Sequence, residues 1–178
     1  TAEQGEYFAR ITNYKSYDEQ VEEVTYTNYL HKEGLGVSPT IVSINGKEVE
    51  KIILNNKEVL TVLYEAAPGK HLARIQWNAT VLKELGRQIG KLHRLSRKFE
   101  QIHPTRYIND WYQNEEYAFL KYIPEEETTI REVAQQVLST IKRLPMDNSN
   151  YGLLHGDLWL ENVVVDRDLK LTMVDFQD

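Results

Sequence analysis

The spacing of apolar residues changes once along this 178-residue chain, and the change falls at Pro68-Gly69. Before that point, aromatic and β-branched residues cluster in short runs: Tyr7 to Thr12, Thr40 to Ile44, Val49 to Leu54 and Val59 to Tyr64. Such runs read as strands. After it, apolar residues recur every three or four positions. Val81, Leu82, Leu85, Ile89, Leu92 and Leu95 mark a helix over Thr80 to Arg97, and Val133, Val137, Leu138, Ile141 and Leu144 mark another over Thr129 to Leu144. Segregated strands and helices predict an α+β fold rather than an alternating one. The boundary is expected near Glu65 to Gly69, giving a sheet-bearing part over 1–68 and a mainly helical part over 69–178.

Finer features follow from turn chemistry. Asn45-Gly46 predicts a type I′ hairpin between Thr40–Ile44 and Val49–Leu54, because that turn needs positive φ twice. The run Val59 to Tyr64 is apolar on both faces and is expected at the centre of a small mixed or antiparallel sheet. One helix is expected inside the sheet-bearing part, from Tyr17 to Glu33, stopped by Gly34 and Gly36. Its apolar residues Val21, Val24 and Leu30 are sparse, so most of it is expected to face water. Trp111 to Leu120 is a weaker helical candidate. Two short strands close the chain, Asn162 to Val165 and Leu171 to Val174, turned at Asp166 to Asp168.

Composition excludes several functions. Twenty-one Lys and Arg against 27 Asp and Glu give a formal charge of −6, the wrong sign for general nucleic-acid or anionic-membrane binding. No cysteine means no disulfide, no thiolate zinc site and no thiol catalysis. No apolar run approaches the roughly 18 residues of a transmembrane helix, so a cytoplasmic location is expected.

The densest polar cluster is His155-Gly156-Asp157-Leu158-Trp159-Leu160-Glu161-Asn162, followed by Asp175-Phe176-Gln177-Asp178. Asn162 opens one of the two closing strands and Asp175 ends the other. A hairpin therefore brings an amide and a carboxylate to the same end, within reach of one hard cation. Oxygen ligands of this kind suit Mg²⁺, which completes its shell with water and phosphate. Asp157 is then free to orient a hydroxyl and accept its proton. Phosphoryl transfer requires this combination, since positioning and charge neutralisation supply most of the catalysis.

The pattern His-Gly-Asp-x4-Asn, an apolar strand and then Asp resembles the aminoglycoside phosphotransferase and choline kinase family, which has a protein-kinase-like two-lobed fold. The resemblance runs from Arg10 to Asp178. It implies that Phe8-Ala9-Arg10-Ile11 is the strand whose cation contacts the nucleotide phosphates. Glu23, seven residues before Leu30, is implied to orient Arg10, and Leu63-Tyr64-Glu65-Ala66-Ala67-Pro68-Gly69 resembles the hinge that holds adenine, with Glu65, Ala66 and Ala67 at the base. Asp157 is implied to be the catalytic base, with Asn162 and Asp175 binding Mg²⁺ and His155 holding the loop. The implied cofactors are ATP and Mg²⁺, and the implied acceptor is a hydroxyl of a small molecule: an aminoglycoside, choline, homoserine or a sugar-like compound. Oligomeric state is left open.

Two departures accompany the resemblance. Gln4-Gly5-Glu6 is at most the end of a turn, where the family carries further strands and a phosphate-covering loop. The long helical region that follows the Asp175 motif in the family is also absent, so the chain reads as incomplete. Two rival readings stand beside the kinase: a nucleotide-binding or interaction module of the same fold without catalysis, and a metal-dependent hydrolase using His155, Asp157, Glu161 and Asp175. The second needs another histidine beside the cluster, and the local sequence has none.

Overall fold

A computed structural model describes residues 5–113, 118–147 and 149–176. The elements are β1 (Tyr7–Thr12), α1 (Tyr17–Lys32), β2 (Thr40–Ile41), β3 (Glu50–Leu54), β4 (Lys57–Glu65), α2 (Ala79–Ile102), α3 (Thr128–Lys142), β5 (Val163–Val165) and β6 (Leu171–Met173). Gln4, Gln177 and Asp178 lie outside the described residues. The chain forms two compact units, one from Thr1–Ile108 with Gly152–Asp178, the other from Asn109–Tyr151. The expected boundary at Glu65 to Gly69 falls within the first.

In the first unit β4 is the central strand, as its two-sided apolar run predicts. It pairs antiparallel with β1 along one edge, from Tyr7 opposite Glu65 to Thr12 opposite Leu60. Its other edge is shared: β3 pairs with Lys57 to Thr61, and β2 with Leu63 and Tyr64. This corrects the expected hairpin at Asn45-Gly46. A turn forms there, with Gly46 at φ 77°, but β2 and β3 pair with successive stretches of β4 rather than with each other. The Ser43 hydroxyl accepts the Asn45 and Lys47 amides, and Glu50 accepts from Ser43 and Asn45, so side chains satisfy groups that a ladder would have used. The two-residue hairpin is β3–β4, where Asn55 and Asn56 take φ 50° and 62°, both positive as a type I′ turn requires.

Helix α1 opens on a capping box. The Ser16 hydroxyl accepts the Glu19 amide at 3.2 Å, and the Glu19 carboxylate accepts the Ser16 amide at 2.7 Å. The helix does not mostly face water, contrary to its sparse apolar pattern. It buries Gln20, Glu22, Glu23, Val24, Tyr26, Thr27 and Leu30. Val24 packs with Val49, Leu60 and Val62 of the sheet side, whereas Tyr26 and Leu30 join the larger core with Leu92, Leu95 and Phe99 of α2. Periodicity missed this face because half of it is polar, and Glu22, Glu23 and Tyr26 are held by tertiary partners. The Tyr26 and Ser96 hydroxyls meet at 2.5 Å, and Glu22 accepts the Tyr107 and Ile108 amides at 2.5 and 2.7 Å.

Helix α2 runs five residues further than its stripe predicts, with the Asn78 side chain accepting the Thr80 and Val81 amides. The β5–β6 hairpin is tied on both sides. Val37 bridges to Met173 and Lys70 to Val165. These approaches need glycine: a Cβ on Gly36 would fall on the Leu171 carbonyl oxygen, and one on Gly69, at φ 111°, on that of Val165. No helix among the described residues is long and apolar enough to cross a membrane.

In the second unit the helical candidate Trp111 to Leu120 becomes two short 3-10 turns, Trp111–Gln113 and Phe119–Tyr122; residues 114–117 lie outside the described set. Asp110 accepts the Tyr112 and Tyr151 hydroxyls at 3.0 and 2.8 Å, and Arg131 on α3 donates to the Leu120 and Ile123 carbonyls.

Gly36→Ala should destabilise the fold by about 1–3 kcal/mol, the usual cost of forcing packed atoms apart. Gly86→Ala, in α2 with nothing near the new methyl, should be neutral or stabilising by up to about 1 kcal/mol. Shifts of the urea midpoint at constant slope measure both.

Candidate active site

Of the expected functional residues, Arg10, Glu65, Ala66, Ala67, Asn162 and Asp175 line a cavity of about 420 Å³ in the first unit, whereas Glu23 and Asp157 do not line it but contact Arg10 and Asn162. Phe8, Val37, Tyr64, Val164 and Met173 form much of its apolar wall; Arg10, Asn162 and Asp175 bring the polar groups. Glu65, Ala66 and Ala67 border it where β4 runs out. The Glu65 amide donates to the Pro39 carbonyl at 3.1 Å and the Ala66 amide to the Glu6 carbonyl at 3.0 Å. The Ala67 amide has no hydrogen-bond partner among the described residues, so it is the open donor of the three.

At the opposite end the hairpin sets its two oxygen-bearing residues side by side. Val163 pairs with Met173, and the Val174 amide donates to the Asn162 carbonyl at 3.0 Å, which places Asn162 and Asp175 just beyond the last rung. Asn162 is buried, and its amide nitrogen donates to Asp157 twice, to the carbonyl at 2.8 Å and to Oδ2 at 3.1 Å. Its Oδ1 accepts no hydrogen bond among the described residues. One side chain thus anchors Asp157 while keeping an oxygen for a cation. Asp175 takes φ 61°, a left-handed conformation that aspartate tolerates better than most residues. Among the described residues no three His, Asp or Glu side chains gather on one metal position. One amide oxygen and one half-exposed carboxylate fit a hard cation that draws its remaining ligands from water and phosphate.

Arg10 is not a solvated strand cation. Its side chain is 12% exposed, and Nη1 lies 2.8 Å from Glu23 Oε1, 2.6 Å from the Phe176 carbonyl and 3.9 Å from Asp175 Oδ1. Burial opposes its charge, but Glu23, with a smaller contribution from Tyr14, raises its pKa above the ordinary value. Burial, reinforced by the Glu23 charge, pushes the Tyr64 phenol well above its usual range, so it faces Glu23 as a protonated donor at 3.5 Å. Glu23 thus faces Arg10 from α1, while Glu19 on the same helix accepts the Ser16 amide in the cap.

Sequence reasoning did not find Lys15 or Tyr64. Lys15 lies in a polar loop with no periodicity to mark it, yet its Nζ is 2.7 Å from Glu23 Oε2. Tyr64 reads as core strand at the start of the hinge-like stretch, and nothing there marks it as a partner of Glu23. The cavity floor from Val164 and Met173 also had no sequence signature beyond strand alternation.

The family model for the phosphotransferase enzyme family matches residues 1–178. The chain belongs to that family. An amicoumacin kinase of Bacillus subtilis (strain 168) is 33% identical over 175 residues, covering 97% of this chain and 52% of that protein. Among solved structures, an amicoumacin kinase in complex with AMP-PNP, Ca²⁺ and Ami superposes with a TM-score of 0.84 at 24% identity, over 96% of this chain and 52% of that one. A microcompartment-associated aminopropanol kinase follows at 0.75 and 20%, over 98% and 58%. The chain thus spans about half the length of the relatives it matches, and the α+β fold of the phosphotransferase family is the one it adopts.

His155 is buried, with its ring 4.2 Å from that of Phe176. Burial pulls its pKa below the ordinary value, against weaker opposing effects of the Val174 backbone and of Asp157 and Asp175. The unfolded chain then binds the extra proton first, so stability is complete above about pH 6.5 and falls as the pH drops below it. Melting temperatures followed from about pH 7.5 to about pH 5 should decline, and His155→Gln should decline less over the same range. Equal slopes would dispose of the assignment.

Proposed function

We propose that this chain carries the nucleotide site and catalytic loop of a kinase that moves the γ-phosphoryl group of ATP to a hydroxyl of a small molecule. The observation that carries the reading is the Asn162 amide, which donates to Asp157 from a position on the cavity wall beside Asp175. It couples a proton acceptor to a cation site. Adenine would lie against Glu65 to Ala67, with the Ala67 amide as donor and Phe8 and Val164 on its faces. Arg10 would meet the phosphates. Asn162 Oδ1 and Asp175 would hold Mg²⁺, which would neutralise charge on the phosphates. The amicoumacin kinase complex that contains both AMP-PNP and Ca²⁺ supports the use of a divalent ion.

Asp157 does the proton work. Its carboxylate accepts the hydroxyl proton of the acceptor as the acceptor oxygen bonds to the γ-phosphorus, and the bond from that phosphorus to the bridging oxygen breaks to release ADP. Asn162 orients the carboxylate through two hydrogen bonds. Sequence segments 1–68 and 69–178 would be the nucleotide-binding and catalytic parts of this machinery, working in the cytoplasm where ATP is supplied. The acceptor class follows the relatives only as far as a small molecule with a hydroxyl group.

Asp157→Ala should reduce turnover about 10²–10⁴-fold, the range for losing a general base, while Mg-ATP affinity measured by calorimetry stays within a few-fold. Unchanged turnover in a screen of small alcohols would refute the role. Asp175→Asn, which keeps a residue at ease with positive φ, should abolish the extra thermal stabilisation that Mg²⁺ adds to ATP. Binding of Mg-ATP without turnover on any acceptor would favour the non-catalytic module.

A further inference from the structure

Glu23 is shared between two cations, and only one of them reaches the cavity. Arg10 Nη1 holds Oε1 at 2.8 Å and Lys15 Nζ holds Oε2 at 2.7 Å. All three side chains are withdrawn from water, at 12%, 5% and 3% exposure for Arg10, Lys15 and Glu23. Arg10 lines the cavity; Lys15 does not. Lys15 stands immediately before the Ser16 cap, so the capping box that starts α1 also fixes where this lysine leaves the backbone.

The charges explain why a second cation matters. Arg10, Glu23 and Asp175 together carry one positive and two negative charges, with Asp175 3.9 Å from Arg10. That trio, with no cation on Asp175, would repel a phosphate chain. With Lys15 the four groups balance, and Glu23 no longer cancels Arg10 alone. Geometry points the same way. A carboxylate with one partner can swing about its terminal torsion, whereas one held at both oxygens cannot, so its guanidinium partner is fixed as well.

We propose that Lys15 is a positioning residue for the nucleotide phosphates: by taking the second oxygen of Glu23 it leaves the charge of Arg10 available to the phosphate chain. This rests on the nucleotide reading of the cavity. Lys15 touches no ligand in this role and acts through Glu23.

Comparison of ATP with adenosine tests it, because only ATP presents phosphates to Arg10. Dissociation constants of both for the unaltered chain, Lys15→Met and Lys15→Arg, with Mg²⁺ present, should show ATP binding weakened about tenfold in Lys15→Met, the order expected for one partly screened charge. Adenosine binding should be unchanged, and Lys15→Arg should restore most of the ATP affinity. Equal weakening of ATP and adenosine would make Lys15 a structural residue and overturn the proposal, as would ATP affinity untouched by Lys15→Met. Should Lys15→Met fail to fold, Lys15→Arg and Lys15→Gln carry the test: Gln must lose ATP affinity selectively where Arg keeps it. If the unaltered chain binds ATP no better than adenosine, the phosphate reading of the cavity falls, and this proposal with it.

Discussion

One guanidinium joins three parts of the first unit. Arg10 belongs to β1, meets Glu23 of α1, and donates to the carbonyl of Phe176 beyond β6. Sheet, helix and hairpin therefore share a single charged contact. Breaking a buried pair by removing one partner costs about 3–5 kcal/mol, because the other charge is left without compensation. The polar face of α1 is comprehensible only with this in mind. A helix with so few apolar residues stays packed because Glu22, Glu23 and Tyr26 each find a partner elsewhere in the chain.

The hairpin illustrates a second way of holding a site, by backbone alone. β5 and β6 are three residues each, too short to stand on their own. Bridges from Lys70 to Val165 and from Val37 to Met173 flank them, and Gly69 and Gly36 remove the side chains that would block the approach. Asn162 and Asp175 are thereby placed by main-chain geometry, and no loop of their own needs to be rigid. Leu153, Val163 and Met173 then sit in the same core as α2, so the loop bearing Asp157 grows directly out of packed residues.

Legibility in the sequence followed the range of the interactions. The loop from His155 to Asn162 and the strands around it were readable because Asp157, Asn162 and Asp175 lie within about twenty positions of one another and are related by a single hairpin. The central place of β4 was readable from its two-sided apolarity. The partner of β2 was not. An Asn-Gly turn announces a reversal of the chain, but side-chain oxygens from Ser43 and Glu50 absorbed its hydrogen bonds, and the true hairpin turned on Asn55 and Asn56. The degree of burial of α1 was unreadable for a related reason: hydrophobic period reports apolar burial only.

By itself, then, the sequence determined the α+β class, the order of the elements and the amide and carboxylate at the end of the hairpin. Those features depend on local pattern and on residue types at set spacings. Tertiary structure alone decided that Lys15 would take the second oxygen of Glu23, that Tyr64 would face the same carboxylate, and that Ala67 would keep the open amide beside the cavity. Each of those depends on where distant backbone segments come to rest, and a polar side chain carries no periodic trace of the partner that will bury it.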